Sequence, residues 1–180
     1  MNIVLIGFMG SGKTTFGQWL ADKQAMNLVD TDEFIEALEG RSVKEIFAME
    51  GEGYFRSLET ETLKMLLGRS DQDPERKKML KESSVISVGG GLPMTPENQP
   101  MLQELGKIVF LAASKEELVR RLSNDTSRPL LAGHDLAQRI EELIALRNDT
   151  YEDLCDIIVE TDGKSMNDLW KEIFDEFAKA

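Results

Sequence analysis

The sequence predicts an α/β domain built on a parallel sheet with helices on both faces, and three observations lead there. Five short apolar runs stand out, at 3–6, 28–29, 85–88, 108–111 and 157–159. Most are rich in β-branched residues and nearly continuous rather than alternating, the pattern of strands covered on both faces. Helix-length stretches of mixed charge separate them, and this alternation favours parallel pairing through right-handed crossovers. The chain has 180 residues, which suits one domain spanning 1–180.

The first run leads into Gly7-Phe8-Met9-Gly10-Ser11-Gly12-Lys13-Thr14, which fits G-x-x-x-x-G-K-[ST], and a helical pattern over 14–24 follows. Glycines let backbone N–H groups turn inward around phosphate oxygens, and the helix N-terminus adds partial positive charge. Lys13 is placed to reach β- and γ-phosphates, and the Thr14 hydroxyl can ligate Mg²⁺. This is a nucleotide phosphate loop.

The second run ends in Asp30-Thr31-Asp32. If the strand continues, residues i and i+2 point the same way and both carboxylates face one site. Two carboxylates beside a triphosphate repel it unless a divalent cation intervenes. Asp30 therefore reads as an outer Mg²⁺ ligand. Asp32 is then free to accept a hydrogen bond or proton from a substrate hydroxyl. The competing role for Asp32 is as N-cap of a helix beginning near Glu33.

A long helical stretch is expected over 42–67, carrying Arg56 and, one turn on, Glu59. The segment 67–84 is dense in charge and reads as a solvated helix extension. The third run, 85–88, ends in Gly89-Gly90-Gly91 rather than in the Asp of an ATP-hydrolysing motor, leaving room for a ligand against the backbone. After the fourth run come a helix over 116–123, a loop over 124–135 with Arg128 and His134, and a helix over 136–148 carrying Arg147. The fifth run precedes a helix over 165–179. The planar fork of an arginine matches carboxylate and phosphate oxygens bidentately.

Composition narrows the function. Lys and Arg number 21 against 33 Asp and Glu, a formal charge of −12, which argues against a general nucleic-acid or anionic-membrane binder. One cysteine, Cys155, excludes an internal disulfide and suits a reducing compartment. One histidine excludes a histidine metal cluster and a Ser/His/Asp triad. No apolar stretch is long enough to span a bilayer, and the N-terminus lacks the basic start of a secretion signal, so a cytoplasmic protein is expected. No N-K-x-D motif is present, which disfavours a GTPase switch.

The ordered set of phosphate loop, D-T-D, F-R with Glu59, G-G-G, R-P-L-L and R-x-x-x-Y resembles the shikimate kinase family over nearly the whole chain. That resemblance implies a three-layer P-loop kinase fold with a five-stranded parallel sheet, a substrate-binding segment over about 31–60 and a short lid over about 124–138. It implies ATP-dependent phosphorylation of a shikimate hydroxyl, in aromatic amino-acid biosynthesis, with ATP and Mg²⁺. A related P-loop kinase for another small polyol acid or nucleotide is the alternative activity, and a nucleotide-dependent binding module without turnover is the alternative class. Lys13, Asp32 and Arg128, a lid arginine, fall at catalytic positions. Gly10, Ser11, Gly12, Lys13, Thr14, Thr15 and Arg128 fall where the family binds ATP phosphates, and Arg121 and Lys164 fall near the adenine. Asp32, Arg56, Glu59, Gly89, Gly90, Gly91 and Arg147 fall at the shikimate pocket, and Thr14 and Asp30 at the metal. A monomer acting on a small molecule is expected.

Overall fold

Five strands, β1 (Ile3–Ile6), β2 (Asn27–Asp30), β3 (Ser84–Ser87), β4 (Lys107–Ala112) and β5 (Ile157–Glu160), pair all-parallel in the order β2-β3-β1-β4-β5. The computed structural model describes residues 1–69, 83–125, 129–131, 133 and 135–179. Eight helices flank the sheet among these residues: α1 (Lys13–Gln24), α2 (Thr31–Glu39), α3 (Val43–Glu50), α4 (Glu52–Leu66), α5 (Asn98–Leu105), α6 (Lys115–Leu122), α7 (Leu136–Leu154) and α8 (Met166–Phe177), with α3 packed on α2 and α4 and α6 on α7.

Strand alternation sends each strand's residues into two cores. Val4, Ile6, Ile86, Ile108 and Phe110 pack with Leu63 and Leu66 of α4, Leu102 of α5 and Tyr151 of α7. Ile3, Leu5, Val85, Val109, Leu111, Ile157 and Val159 pack on the opposite face with Phe16 and Leu20 of α1 and Leu169 and Ile173 of α8. The three central strands, β3, β1 and β4, are covered on both sides, as their unbroken apolar runs predict, while β2 at one edge is only partly buried. β5 departs from that expectation. It lies at the sheet edge and alternates, with Ile157 and Val159 buried and Ile158 51% exposed.

Other boundaries differ for local reasons. The expected helix over 42–67 breaks at Gly51 (φ +83) into α3 and α4, and α3 starts from a capping box made by Ser42 and Glu45. α5 went unread in the sequence, although Met101, Leu102 and Leu105 repeat at helical spacing. α7 continues past residue 148 to Leu154, so Tyr151 sits one helical turn beyond Arg147 on the same face. α7 also begins inside the expected lid, with Asp135 as its N-cap. Most of the charged segment 67–84, together with Arg128 and His134, lies outside the described residues.

The C-terminal ends of β1, β2 and β3 carry, respectively, the phosphate loop, Asp30 and the three-glycine turn. In an open parallel sheet, the mouth above the strand ends is where ligands bind.

Candidate active site

The loop between β1 and α1 winds around the N-terminus of α1. Gly12 is the N-cap of that helix at φ +97, a left-handed conformation that suits glycine, and no side chain caps the helix. The first N–H groups of α1 therefore face the cleft, ready for anionic oxygens. Lys13 is buried, and its Nζ donates to the carbonyls of Gly7 and Phe8, each at 2.9 Å. The Ser11 hydroxyl is buried with no protein partner.

β2 and β3 are in register with Asp30 opposite Ser87. Thr14 and Ser87 both donate to Asp30 Oδ2, at 2.7 and 2.9 Å. Asp30 Oδ1 accepts the backbone N–H of Asp32 at 3.0 Å and of Glu33 at 3.4 Å, so Asp30, not Asp32, is the N-cap of α2. The strand stops at Asp30, and Asp32 reaches the cleft from the first turn of a helix rather than by strand alternation. Carboxylate and hydroxyl oxygens converging beside a phosphate loop suit a hard divalent cation. Ser87 was missed in the sequence; its signal was the hydroxyl interrupting an apolar run.

One cleft of about 690 Å³ is lined by Gly10, Ser11, Gly12, Lys13, Thr14, Thr15, Asp30, Asp32, Gly89, Gly90, Arg121 and Lys164, among others. Arg121 Nη1 donates to the Gly10 carbonyl at 3.1 Å, and its Nε pairs with Glu117 Oε1 at 2.7 Å. Hydrogen bonds from Arg120 and Arg121 hold the Glu117 carboxyl down at about 2. Lys164 pairs with Glu172 at 2.7 Å.

The three-glycine turn closes the cleft's inner wall. A Cβ on Gly89 would sit 2.5 Å from Asp32 Oδ1 and 2.9 Å from Glu59 Oε1, so only glycine lets both carboxylates approach this backbone. Arg56 lies against Gly91 and pairs with Glu59 at 2.7 Å and Glu52 at 2.8 Å. Burial opposes the charge on Arg56, but its two carboxylate partners outweigh it and raise its pKa. Arg147 is buried, sits over the Phe8 ring, and points Nη1 toward Gly90 with no protein partner for that nitrogen.

Glu59 is fully buried, and one of its oxygens, Oε1, has no protein partner. Burial pushes its pKa from an ordinary 4.5 up to about 7, against the pull of Arg56. A carboxyl whose folded pKa is raised favours the fold while it holds its proton. That contribution is present at acid pH and is lost as pH rises through about 7. The melting temperature of wild type is therefore expected to fall relative to Glu59→Gln between pH 5 and 8. A flat difference across that range would rule out the raised titration.

The expected phosphate-loop and metal residues, with Asp32, Gly89, Gly90, Arg121 and Lys164, thus line one cleft, and Arg56, Glu59 and Arg147 stand against the glycine turn that borders it; Arg128 lies outside the described residues. A polyphosphate cradle, hard oxygen ligands, a carboxylate near them and two guanidinium groups suit phosphoryl transfer to an anionic acceptor that carries a hydroxyl.

Comparison with known proteins agrees. A family model described as shikimate kinase matches residues 9–179. A shikimate kinase of Geobacter metallireducens is 39% identical over 172 residues, covering 96% of this chain and 89% of that protein. The structure of an Acinetobacter baumannii shikimate kinase in complex with shikimate superposes with a TM-score of 0.86 at 30% identity, covering 99% of this chain and 93% of that one. A gluconokinase from Sinorhizobium meliloti shares the fold alone, at 14% identity and a TM-score of 0.58.

Proposed function

The chain belongs to the shikimate kinase family, and from that premise we infer that it transfers the γ-phosphoryl group of ATP to a hydroxyl of shikimate, a step in aromatic amino-acid biosynthesis. The single observation that carries the assignment of substrate to residues is Arg147, whose buried Nη1 faces the glycine turn without a partner. A buried guanidinium nitrogen without a partner is costly, and an anion from outside the chain relieves it.

In this reading Arg56 and Arg147 clamp the substrate carboxylate against Gly90, and Glu59 steadies Arg56. Asp32 meets the reacting hydroxyl and orients it or takes its proton as the bond to phosphorus forms. Loop residues 10–15 hold the ATP phosphates, with Lys13 on the transferring end, and Arg121 and Lys164 frame the base. Thr14 and Asp30 are the residues that would hold Mg²⁺, with Ser87 fixing Asp30. Bound there, the ion would offset negative charge on the β- and γ-phosphates. Segment 31–60 forms the substrate side, and the lid expected over 124–138, with Arg128 as its phosphate-binding residue, includes residues outside those described.

A coupled assay of ADP release tests the reading directly, run with shikimate, its methyl ester, gluconate and nucleoside monophosphates. Shikimate is expected to turn over and the ester to be a poor substrate, because it keeps the hydroxyls but lacks the charge the arginines need. Equal use of acid and ester, or turnover of another acceptor while shikimate stays inert, would overturn the assignment.

A further inference from the structure

The residues read as substrate contacts sit on three helices: Asp32 on α2, Arg56 and Glu59 on α4, Arg147 on α7. Each helix is also tied by a neighbouring side chain to one short stretch of backbone, the turn over residues 89–92. From α2, the Thr31 hydroxyl accepts the N–H of Gly89 at 3.0 Å. From α7, the Tyr151 hydroxyl donates to the carbonyl of Gly90 at 2.5 Å. From α4, the Thr60 hydroxyl donates to Asn98 Oδ1 at 2.8 Å, and Asn98 Nδ2 donates to the carbonyl of Leu92 at 3.0 Å. Thr31 precedes Asp32, Thr60 follows Glu59, and Tyr151 lies one turn after Arg147.

These anchors are interior groups. Tyr151, Thr31 and Asn98 are fully buried and Thr60 nearly so. The Tyr151 ring packs against Phe110 of β4 with centroids 5.1 Å apart, which fixes the hydroxyl from behind. Burial pushes that phenol up to about 12 although the Arg147 guanidinium beside it pulls the other way, so it stays a donor. Polar groups held in a dry interior need their partners, and a chain of satisfied bonds holds its members at fixed separations.

We propose that Tyr151 and the Thr60–Asn98 pair are positioning residues, which set the spacing of the two arginines by hanging α7 and α4 from the same glycine turn. None of the three touches substrate in this assignment. The turn is the shared reference from which both halves of the carboxylate clamp are measured, so losing an anchor shifts one arginine relative to the other. The proposal rests on the clamp reading given above. The phosphate-loop groups reach the cleft from β1 and α1, Arg121 from α6 and Lys164 from the turn after β5, and their hydrogen bonds run to Gly7, Phe8, Gly10, Glu117 and Glu172 rather than to these anchors.

Kinetics with each substrate varied in turn test it, using Tyr151→Phe, Thr60→Val, Thr60→Ser and Arg147→Ala. Tyr151→Phe removes one oxygen and Thr60→Val one hydroxyl at nearly constant volume. Each is expected to raise the KM for shikimate about tenfold, the equivalent of one lost hydrogen bond. The KM for ATP should stay within about twofold. Thr60→Ser keeps the donor and should restore wild-type behaviour. A shikimate KM unchanged in Tyr151→Phe and Thr60→Val, beside a raised one in Arg147→Ala, overturns the positioning role alone. Both KM values rising together with a lowered melting temperature means general loosening and overturns it too. An unchanged shikimate KM in Arg147→Ala overturns the clamp, and the positioning role with it.

Discussion

Lys13→Ala is expected to lower kcat by about 10²–10³-fold or more, the cost of removing one preorganised cationic donor from a transferring phosphoryl group. The lysine is held in place by two carbonyls of its own loop, Gly7 and Phe8. Its charge is therefore set before ATP arrives and needs no rearrangement as negative charge moves between β- and γ-oxygens. Its side chain is buried, yet it stands at the first position of α1 and outside both sheet cores, so the protein should still fold. Circular dichroism and a thermal melt establish that, and kcat is then read on folded protein. A variant within a few-fold of wild type would mean that the loop does not hold the reacting phosphate.

Asp32→Asn should cost about 10²–10⁴-fold in kcat, the range for a positioned base, with a smaller change in the KM for ATP. The amide keeps the size and the place in the first turn of α2 but cannot take a proton. Asp32 stands against the backbone of Gly89 and close to Glu59, on the substrate side of the phosphate loop. A kcat close to wild type would leave the hydroxyl's proton to solvent or phosphate and remove Asp32 from the chemistry.

The phosphate loop was legible because it is contiguous: strand, glycines, Lys13 and Thr14 follow one another, and local geometry does the rest. Thr14 and Asp30 were both named as metal ligands from chemistry, yet their direct hydrogen bond depends on how β2 lies beside α1. The argument that brought Asp32 to the site gave the right residue by the wrong route. Strand alternation does not reach it, since Asp30 both ends β2 and caps α2 with no residue between. Arg56 and Arg147 are 91 positions apart, and nothing local to either says that both flank one turn; the family resemblance, not periodicity, joined them. The roles of Thr31 and Asn98 were invisible for a related reason. A lone hydroxyl or amide acquires meaning only from the backbone it is folded against. Gly51 could have been read as a break in the helix over 42–67, but the apolar spacing continues across it and hid the turn.

The two carboxylates already paired with Arg56 have a consequence for how an acid enters. Glu59 is interior and fixed, whereas Glu52 lies half-exposed at the rim. In the clamp reading, a ligand carboxylate arriving at Arg56 would trade places with Glu52 and return that side chain to water. The event would be an exchange of one anion for another rather than the capture of an anion by a bare cation. Much of the desolvation that usually opposes ion pairing is thereby offset, because the guanidinium is never stripped of a partner. Selectivity follows from the same trade. A neutral molecule of similar shape has nothing to offer in exchange, so the protein's own glutamate acts as a tethered competitor against it.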